Sequence, residues 1–203
     1  MKKTIIFPLL LAFLLLPSMG LAATHKVIKT TKPYTFPQHD APPMQKVYTS
    51  RVLDLSIQGD PLATPQQCIN HLLRQNPYPA ITVSPEELVN YYYEEAKIEG
   101  IRADAAFAQA LHETGYFRYG GDVVAPQNNY CGLGATGQDT KGVWFPDAQT
   151  GVRAHIQHLL AYSSTRRPVM PIVDPRYVLV KSSDKFGQCT TRNRLDGRWA
   201  VPG

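Results

Sequence analysis

The stretch A-L-H-E-T-G-Y-F, residues 110–117, combines residue types that could support catalysis. His112 and Glu113 form the first half of H-E-x-x-H, a pattern in which two histidines one helical turn apart bind zinc. The second histidine would occupy position 116, where this chain has Tyr116, and Gly115 interrupts the helix just before it. The pattern therefore argues against a catalytic zinc ion at this position.

Glu113 could instead act without a metal, as a general acid. It lies in the last turn of a predicted helix, where the dipole is negative, and it is flanked by apolar and aromatic residues. Both conditions raise a carboxyl pKa and favour the protonated form. Gln109 lies one turn earlier on the same face, where it could orient Glu113 or contact a substrate. The alternative is an ordinary exposed glutamate in a helix.

Hydrophobic periodicity predicts four helices that would position this stretch. They cover residues 64–77, 84–100, 103–115 and 150–163. The predicted N-caps are Thr64, Ser84, Asp104 and Thr150, and the second helix carries an S-x-x-E capping box. The segment 116–148 is predicted as a functional loop or short hairpin region, and R-Y-V-L-V, residues 176–180, as a strand.

The remaining histidines and the cysteines give weaker indications. His155 and His158 lie three residues apart on the fourth helix and could share a face, but we interpret them as solvated flank residues. Cys68, Cys131 and Cys189 allow one disulfide in three pairings, with one thiol left over. They lack the paired C-x-x-C spacing of a structural zinc site.

The first residues predict export. Lys2 and Lys3 precede an apolar run that ends in small residues, so residues 1–23 are predicted to be a secretory signal peptide, with a retained membrane anchor as the alternative. Residues 24–50 are Pro-rich and predict a tether to a domain over 51–203. Signal removal leaves 19 basic against 16 acidic residues, a net charge of about +3 that suits an anionic wall or membrane surface. Nucleic acid is not an expected partner of an exported chain.

Three stretches in order resemble the bacterial endo-β-N-acetylglucosaminidase domain. They are A-F-A-Q-A-L-H-E-T-G-Y-F-R-Y-G-G-D (106–122), N-N-Y-C-G-L-G-A-T-G (128–137) and F-P-D-A-Q-T-G-V-R-A-H-I-Q-H-L-L-A-Y (145–162). The places of the family pattern are occupied by Ala108-Gln109, Glu113-Thr114-Gly115, Asn129, Gly132-Leu133 and Phe145. The similarity is dense over 81–163 and thinner on either side.

The resemblance implies an α+β, mainly α, lysozyme-like fold: a helical domain with a small β-rich lobe flanking a sugar cleft. It implies cleavage of the β-1,4 bond after N-acetylglucosamine in peptidoglycan glycan strands, with Glu113 as acid and no metal or organic cofactor. The second catalytic group stays open between a carboxylate, for which we favour Asp122 over Asp139 and Asp147, and the substrate's own N-acetyl group. Asp147 has a helix cap as its alternative role.

Other residues of the loop region could contact sugars. Tyr116, Tyr130 and Trp144 offer flat faces with polar handles, with lobe packing as the alternative, and Phe145 is expected in the core. Asn129 could bond an acetamido group or hold its own turn. Cys131 could be a small buried residue or bridge to another cysteine. The rival functions are a muramidase or lytic transglycosylase on the same fold, and a non-catalytic wall-binding module; G-L-G-A-T-G at 132–137 favours the glucosaminidase.

Overall fold

The computed structural model describes residues 56–137, 140–195 and 197–199, which form a mainly helical domain with little β-structure. The predicted signal peptide (1–23), the predicted tether (24–50) and the first residues of the predicted domain (from 51) lie outside the described residues. The helices are α1 (Pro65–Gln75), α2 (Pro85–Glu99), α3 (Ala103–Glu113), α4 (Ala148–Ser163) and α5 (Tyr177–Lys181). None of the helices within the described ranges is long and apolar enough to cross a membrane.

The first two helices begin where the sequence predicts. Thr64 and Ser84 each accept a hydrogen bond from the backbone N–H of the third helical residue, and the side-chain oxygens of Gln67 and Glu87 accept one from the backbone N–H of the cap residue. These capping boxes pair backbone donors that a helix start otherwise leaves unpaired. Gly100 ends α2 in the left-handed conformation, with φ of 64°, which glycine adopts without strain.

The next two predicted caps are wrong. Arg102 holds the N-cap position of α3, and Asp104 lies inside its first turn, where it pairs with Arg102 at 3.0 Å and accepts the Leu62 amide at 3.1 Å. Asp147, not Thr150, caps α4 by accepting the Thr150 amide at 2.7 Å. Asp104 stabilises the start of α3 from inside the first turn instead of from the cap, whereas the capping role considered for Asp147 is confirmed.

The core forms where α2 packs against α4, with α1 and α3 along α2 and α5 against α4. The inward residues predicted for α4 are buried: Val152, Ile156, Leu159 and Leu160. The prediction of a solvated flank is wrong, because α4 is buried on nearly all sides and His155 and His158 are 0% and 3% exposed. Tyr92 shares a hydrogen bond with His155, and Asp174 pairs with His158 at 2.8 Å.

The three cysteines are buried free thiols, so Cys131 is the small buried residue of the two alternatives. Cys131 packs with Leu133, Phe145 and Ala154 in a small cluster beside the main core. Burial raises the pKa of the Cys131 thiol, with the charge of Asp174 acting in the same direction.

The segment 176–180 is helical, so the predicted strand is wrong. Its β-branched run forms α5, a single turn that buries Tyr177 and Val180 and leaves Val178 and Leu179 exposed. This i, i+3 burial pattern is that of a helix, and packing against α4 overrides the strand propensity of valine.

The described β-structure is one short antiparallel hairpin, β1 (Ala135–Gly137) and β2 (Thr140–Lys141). It lies within the segment that we predicted as a loop or hairpin. The mainly helical fold is as expected, but the described residues do not show the small β-rich lobe that the resemblance implies. Residues 56–58 add two isolated bridges, one to Thr191 and one to Ile101, which join the C-terminal segment to the start of α3.

Candidate active site

Glu113 is the last residue of α3 and is exposed, so its carboxyl group can be reached from solvent. The helix is anchored below it by Phe107, Ala110 and Leu111, which are at most 4% exposed. Burial against the surrounding protein raises the pKa of Glu113, while Gln109, His112 and Arg192 act in the opposite direction. Loss of hydration therefore outweighs three favourable partners, and the protonated acid is stabilised relative to a free glutamate.

Gln109 connects Glu113 to the protein interior. It is 4% exposed and hydrogen-bonds the Glu113 carboxyl from one helical turn away, while its own Oε1 is buried without a partner among the described residues. A buried amide of this kind fixes the direction of the carboxyl group. Of the two predicted roles, orientation of Glu113 fits this burial and contact with a substrate does not.

The turn after Glu113 is held in an unusual backbone conformation. Gly115, Tyr116 and Phe117 have φ of 58°, 58° and 56°. These values lie in the left-handed region, which residues other than glycine rarely adopt. Thr114 stabilises the turn: its hydroxyl donates to the Ala110 carbonyl at 2.7 Å and accepts the Phe117 amide at 2.9 Å. Phe117 is fully buried, so the turn is anchored in the core a few residues after Glu113.

A second buried segment, residues 127–129, holds the hairpin loop through three side-chain amides. Gln127 donates to the Lys141 carbonyl at 2.5 Å, and Asn128 to the Phe145 carbonyl at 3.3 Å. Asn129 donates to the Leu133 carbonyl and accepts the Leu133 amide, both at 2.9 Å, and is 0% exposed. Asn129 therefore holds its own turn, and no part of it is open to a sugar.

The aromatic candidates separate into three environments. Tyr130 is 1% exposed and donates to Asn128 at 3.3 Å, so it lies in the core, where burial raises its pKa to about 12. Trp144 is 62% exposed beside the hairpin and has the open face that a sugar contact needs. Tyr116 is half-buried, with its ring 5.8 Å from that of His71 on α1. Phe145 is buried as expected, at 7% exposed.

Carboxylates do not form a pair at Glu113 within the described ranges. Asp122 is exposed in the loop after the left-handed turn, and it is not among the charged groups that shift the pKa of Glu113. Asp147 is used as the cap of α4, and Asp139 lies outside the described residues. A carboxylate close to Glu113 would raise its pKa further, whereas the two charged groups that act on it, His112 and Arg192, are both basic.

The C-terminal segment contributes a charge that the sequence did not indicate. Arg192 donates to the Ala105 carbonyl on α3 at 2.7 Å, and its charge acts on Glu113. No local pattern could have found this residue, because it reaches the site only through folding. Gln127 and Asn128, by contrast, precede Asn129 in the run Q-N-N, directly before a Gly-rich loop. Such a run of amide side chains predicts a turn stabilised by side-chain hydrogen bonds.

Metal-type side chains do not cluster at this site. Tyr116 replaces the second histidine of H-E-x-x-H, and His112 is exposed beside Glu113. Within residues 56–137, 140–195 and 197–199, no group of three or more His, Cys, Asp or Glu side chains is placed to hold a metal ion. His155 shares a hydrogen bond with the Tyr92 hydroxyl. Burial lowers the pKa of His155 to about 3, so the imidazole ring stays neutral.

A carboxyl group with a raised pKa is the kind of general acid that glycoside hydrolases use. Residues 89–193 match the family described as mannosyl-glycoprotein endo-beta-N-acetylglucosaminidase, and the chain belongs to this glucosaminidase family. The resemblance inferred from the sequence is thereby confirmed, and the family is one of glycoside hydrolases.

One relative is similar over part of the chain and adds no function. A Borreliella burgdorferi protein named only as uncharacterized is 40% identical over 127 residues, which cover 59% of this chain and 60% of that protein. The chain therefore spans about 60% of the length of this relative. No solved structure matches the chain significantly.

Proposed function

We propose that this protein is an exported peptidoglycan hydrolase that cleaves the β-1,4 bond after N-acetylglucosamine in cell-wall glycan strands, with Glu113 as the general acid. The observation that carries the proposal is the state of Glu113: a solvent-accessible residue at a helix end, whose carboxyl pKa is raised by partial loss of hydration and whose carboxyl group is hydrogen-bonded by the buried Gln109. Export rests on the predicted signal peptide over residues 1–23.

The proposed step begins with Glu113 protonated. Its proton passes to the glycosidic oxygen as the bond from that oxygen to the anomeric carbon breaks, and the sugar develops oxocarbenium character. The leaving strand departs as an alcohol, and Glu113 is left ionised. Gln109, His112 and Arg192 each favour the ionised form, so they stabilise the product of proton transfer.

The anomeric carbon also needs a nucleophile. Two carboxyl groups about 5–5.5 Å apart are typical of retaining enzymes with a covalent intermediate. None of the described carboxylates contributes to the shift of the Glu113 pKa, so we assign the attack to the substrate's own N-acetyl oxygen in preference to Asp122. Water then opens the cyclised sugar, with the Glu113 carboxylate as base.

The substrate surface would combine Trp144 with Tyr116. Trp144 exposes 62% of its surface beside the hairpin, and Tyr116 follows Glu113 directly in the left-handed turn. Tyr130 and Asn129 are assigned positioning roles instead, because both are buried and their polar groups are paired.

The decisive experiment compares two carboxyl variants on purified peptidoglycan. We expect Glu113→Gln to abolish release of fragments while wall binding and the far-UV circular dichroism spectrum are retained, and Asp122→Asn to keep most of the activity. A thiazoline analogue of N-acetylglucosamine, which mimics the cyclised sugar, should inhibit the wild type. Loss of activity in Asp122→Asn, without inhibition by the thiazoline, would assign the second role to Asp122.

Mass spectrometry of the fragments distinguishes the rival functions. Reducing-end N-acetylglucosamine supports the proposal, whereas reducing-end N-acetylmuramic acid identifies a muramidase and an anhydro product a lytic transglycosylase. A protein that binds the wall but releases nothing would be the non-catalytic module. Amino-terminal sequencing of the protein from its native cell envelope tests export, with cleavage after Ala22 or Ala23 as the expected result.

A further inference from the structure

Four apolar side chains are exposed along one short stretch of chain, residues 166–181. Val169 is 64% exposed and Ile172 46% in the loop before α5, and Val178 and Leu179 are 66% and 60% exposed on α5 itself. The loop runs directly into the helix, where the Tyr177 amide donates to the Asp174 carbonyl at 3.2 Å and the Arg176 amide to the Asp174 carboxylate at 2.8 Å. We refer to the exposed side chains of residues 166–181 as the 166–181 face.

Two fully buried polar residues hold this face in place. Glu99, 0% exposed at the end of α2, accepts the Val169 amide at 2.9 Å and the Met170 amide at 3.1 Å. Gln157, 0% exposed on α4, accepts the Val173 amide at 2.8 Å and donates to the Pro171 carbonyl at 2.9 Å. A loop pinned from the core at both ends presents its apolar side chains in a fixed arrangement, as a preorganised contact surface does.

The charges on this face have one sign. Residues 166–181 contain four basic side chains and a single acid, Asp174, which is 3% exposed and paired with His158. The basic residues are Arg166, Arg167, Arg176 and Lys181. Arg166 is paired with the buried Glu99 at 3.5 Å, so Arg167, Arg176 and Lys181 carry the positive charge of the stretch, which complements a negatively charged surface.

The types of side chain exposed on the 166–181 face favour contact with the hydrocarbon of lipid acyl chains. The exposed apolar groups are valine, isoleucine and leucine, whereas sugar contacts use flat aromatic faces. A second copy of the chain would bring like charges together across a two-fold interface. Branched aliphatic side chains with arginine and lysine around them suit the boundary between headgroups and acyl chains, where the aliphatic groups enter and the cations remain with the headgroups.

We propose that the 166–181 face docks the domain on an anionic lipid bilayer. The contact is peripheral, with Val178 and Leu179 at its centre, and it is independent of the catalytic step at Glu113. It would hold the catalytic domain against the membrane surface through the domain itself, whatever the fate of residues 1–23.

The test places a tryptophan reporter on the face in the full chain. Val178→Trp is compared with Tyr78→Trp, a matched control in the connection between α1 and α2, where Tyr78 is 90% exposed. Vesicles consist of phosphatidylcholine alone or mixed with phosphatidylglycerol, with acyl chains brominated to quench tryptophan. Because both variants carry the same N-terminal segment, membrane binding by that segment affects them equally.

We expect quenching of the position 178 reporter in the anionic vesicles, little quenching in phosphatidylcholine, and none of the position 78 reporter beyond the background of the native tryptophans. In the Val178→Trp chain, Arg167→Gln with Lys181→Gln should weaken binding roughly thirty-fold, since each basic residue near an anionic surface contributes about five-fold. The control pair Arg74→Gln with Lys141→Gln should change it much less.

Three results would overturn the proposal. Equal quenching at positions 78 and 178 would show that the chain reaches the bilayer without this face. Absence of quenching at position 178 while the chain is bound would show that the face points away. A concentration-dependent dimer in solution that Val178→Asp dissociates would assign the face to a second copy.

Discussion

The side chain of Gln109 hydrogen-bonds the Glu113 carboxyl group across one turn of α3, and its own carbonyl oxygen is buried without a partner among the described residues. The amide of Gln109 therefore holds the Glu113 carboxyl group through a hydrogen bond. Its carbonyl oxygen has lost its hydration without gaining a hydrogen bond in return. Such an arrangement costs stability and is typical of a group kept for function.

Replacing Gln109 by methionine should separate these two effects. Gln109→Met removes the unpaired buried oxygen, so we expect a free energy of unfolding equal to or above that of the wild type in urea denaturation. It also removes the bond that directs Glu113, so kcat should fall by about 100-fold. The alkaline limb of the activity profile should move to higher pH, because a bond that favoured the ionised acid is gone. A fall in kcat with no movement of that limb would contradict the contact between the two side chains.

The pH dependence of hydrolysis should report Glu113 directly. A general acid must be protonated, so activity is lost as pH rises through the Glu113 pKa, which lies above the ordinary value of 4.5. We expect a kcat/KM profile on peptidoglycan fragments whose alkaline limb lies above the range of an unperturbed glutamate. A limb at or below pH 4.5 would contradict the desolvation of this group.

The same shift predicts an effect on stability. A carboxyl group whose pKa is raised by folding contributes stability that is present below its unfolded pKa and lost as pH rises through its folded pKa. Glu113→Gln stays neutral at every pH, so its Tm should equal or exceed that of the wild type at neutral pH. This advantage should close at low pH, where both side chains are uncharged; a Gln variant less stable at neutral pH would reverse the sign that we infer.

Gly151 on α4 lies against the backbone of the segment that holds the hairpin loop. A Cβ atom at this position would meet the Asn128 carbonyl oxygen at 1.8 Å, and that oxygen belongs to the backbone and cannot rotate away. Gly151→Ala should therefore lower the free energy of unfolding by about 1–3 kcal/mol, despite the higher helix propensity of alanine. Activity should fall as well, because residues 127–129 are displaced. Gly121→Ala, where no atom lies within 4 Å, is the matched control and should leave both unchanged.

The ion pair between Glu95 on α2 and Arg153 on α4 joins the two central helices. Arg153 binds both carboxylate oxygens of Glu95, at 2.9 and 2.8 Å, and the side chains are 20% and 1% exposed respectively. Arg153→Met leaves a buried carboxylate with only Gln149 as a partner among the described residues, and should cost about 3 kcal/mol in urea denaturation. The double variant Glu95→Met with Arg153→Met should recover most of this loss. A double variant as unstable as the single one would show that packing, not the stranded charge, sets the cost.

Local patterns predicted much of the helical frame. Thr64, Ser84 and Gly100 mark helix ends through their own hydrogen bonds or backbone angles, so their role is readable from neighbouring residues. The strand predicted at 176–180 and the solvated histidines of α4 were wrong for one reason. Each depends on how deeply the segment is buried by distant parts of the chain, which periodicity over a few residues does not contain.

The candidate site also contains residues that the sequence could predict and residues that it could not. Gln109 and Glu113 lie one turn apart at the end of α3, and Thr114 follows directly. Their spacing in the sequence therefore already predicts that they are neighbours. Arg192 reaches the site from the far end of the chain, and no spacing rule could predict it. Tyr130 and Asn129 have the chemistry of sugar contacts, but side-chain type does not reveal that both are buried.

The left-handed turn after Glu113 has a consequence for the order of folding. Tyr116 and Phe117 adopt φ values near 57°, which an isolated chain disfavours, so the turn is not populated before something compensates it. The compensation is the burial of Phe117 and its edge-on contact with Tyr130, with ring centroids 5.9 Å apart. The helices can therefore form first and the acid acquires its final setting last. In refolding from urea, we expect recovery of activity to lag behind recovery of far-UV circular dichroism, and Tyr116→Asn, whose side chain tolerates this conformation, to shorten the lag.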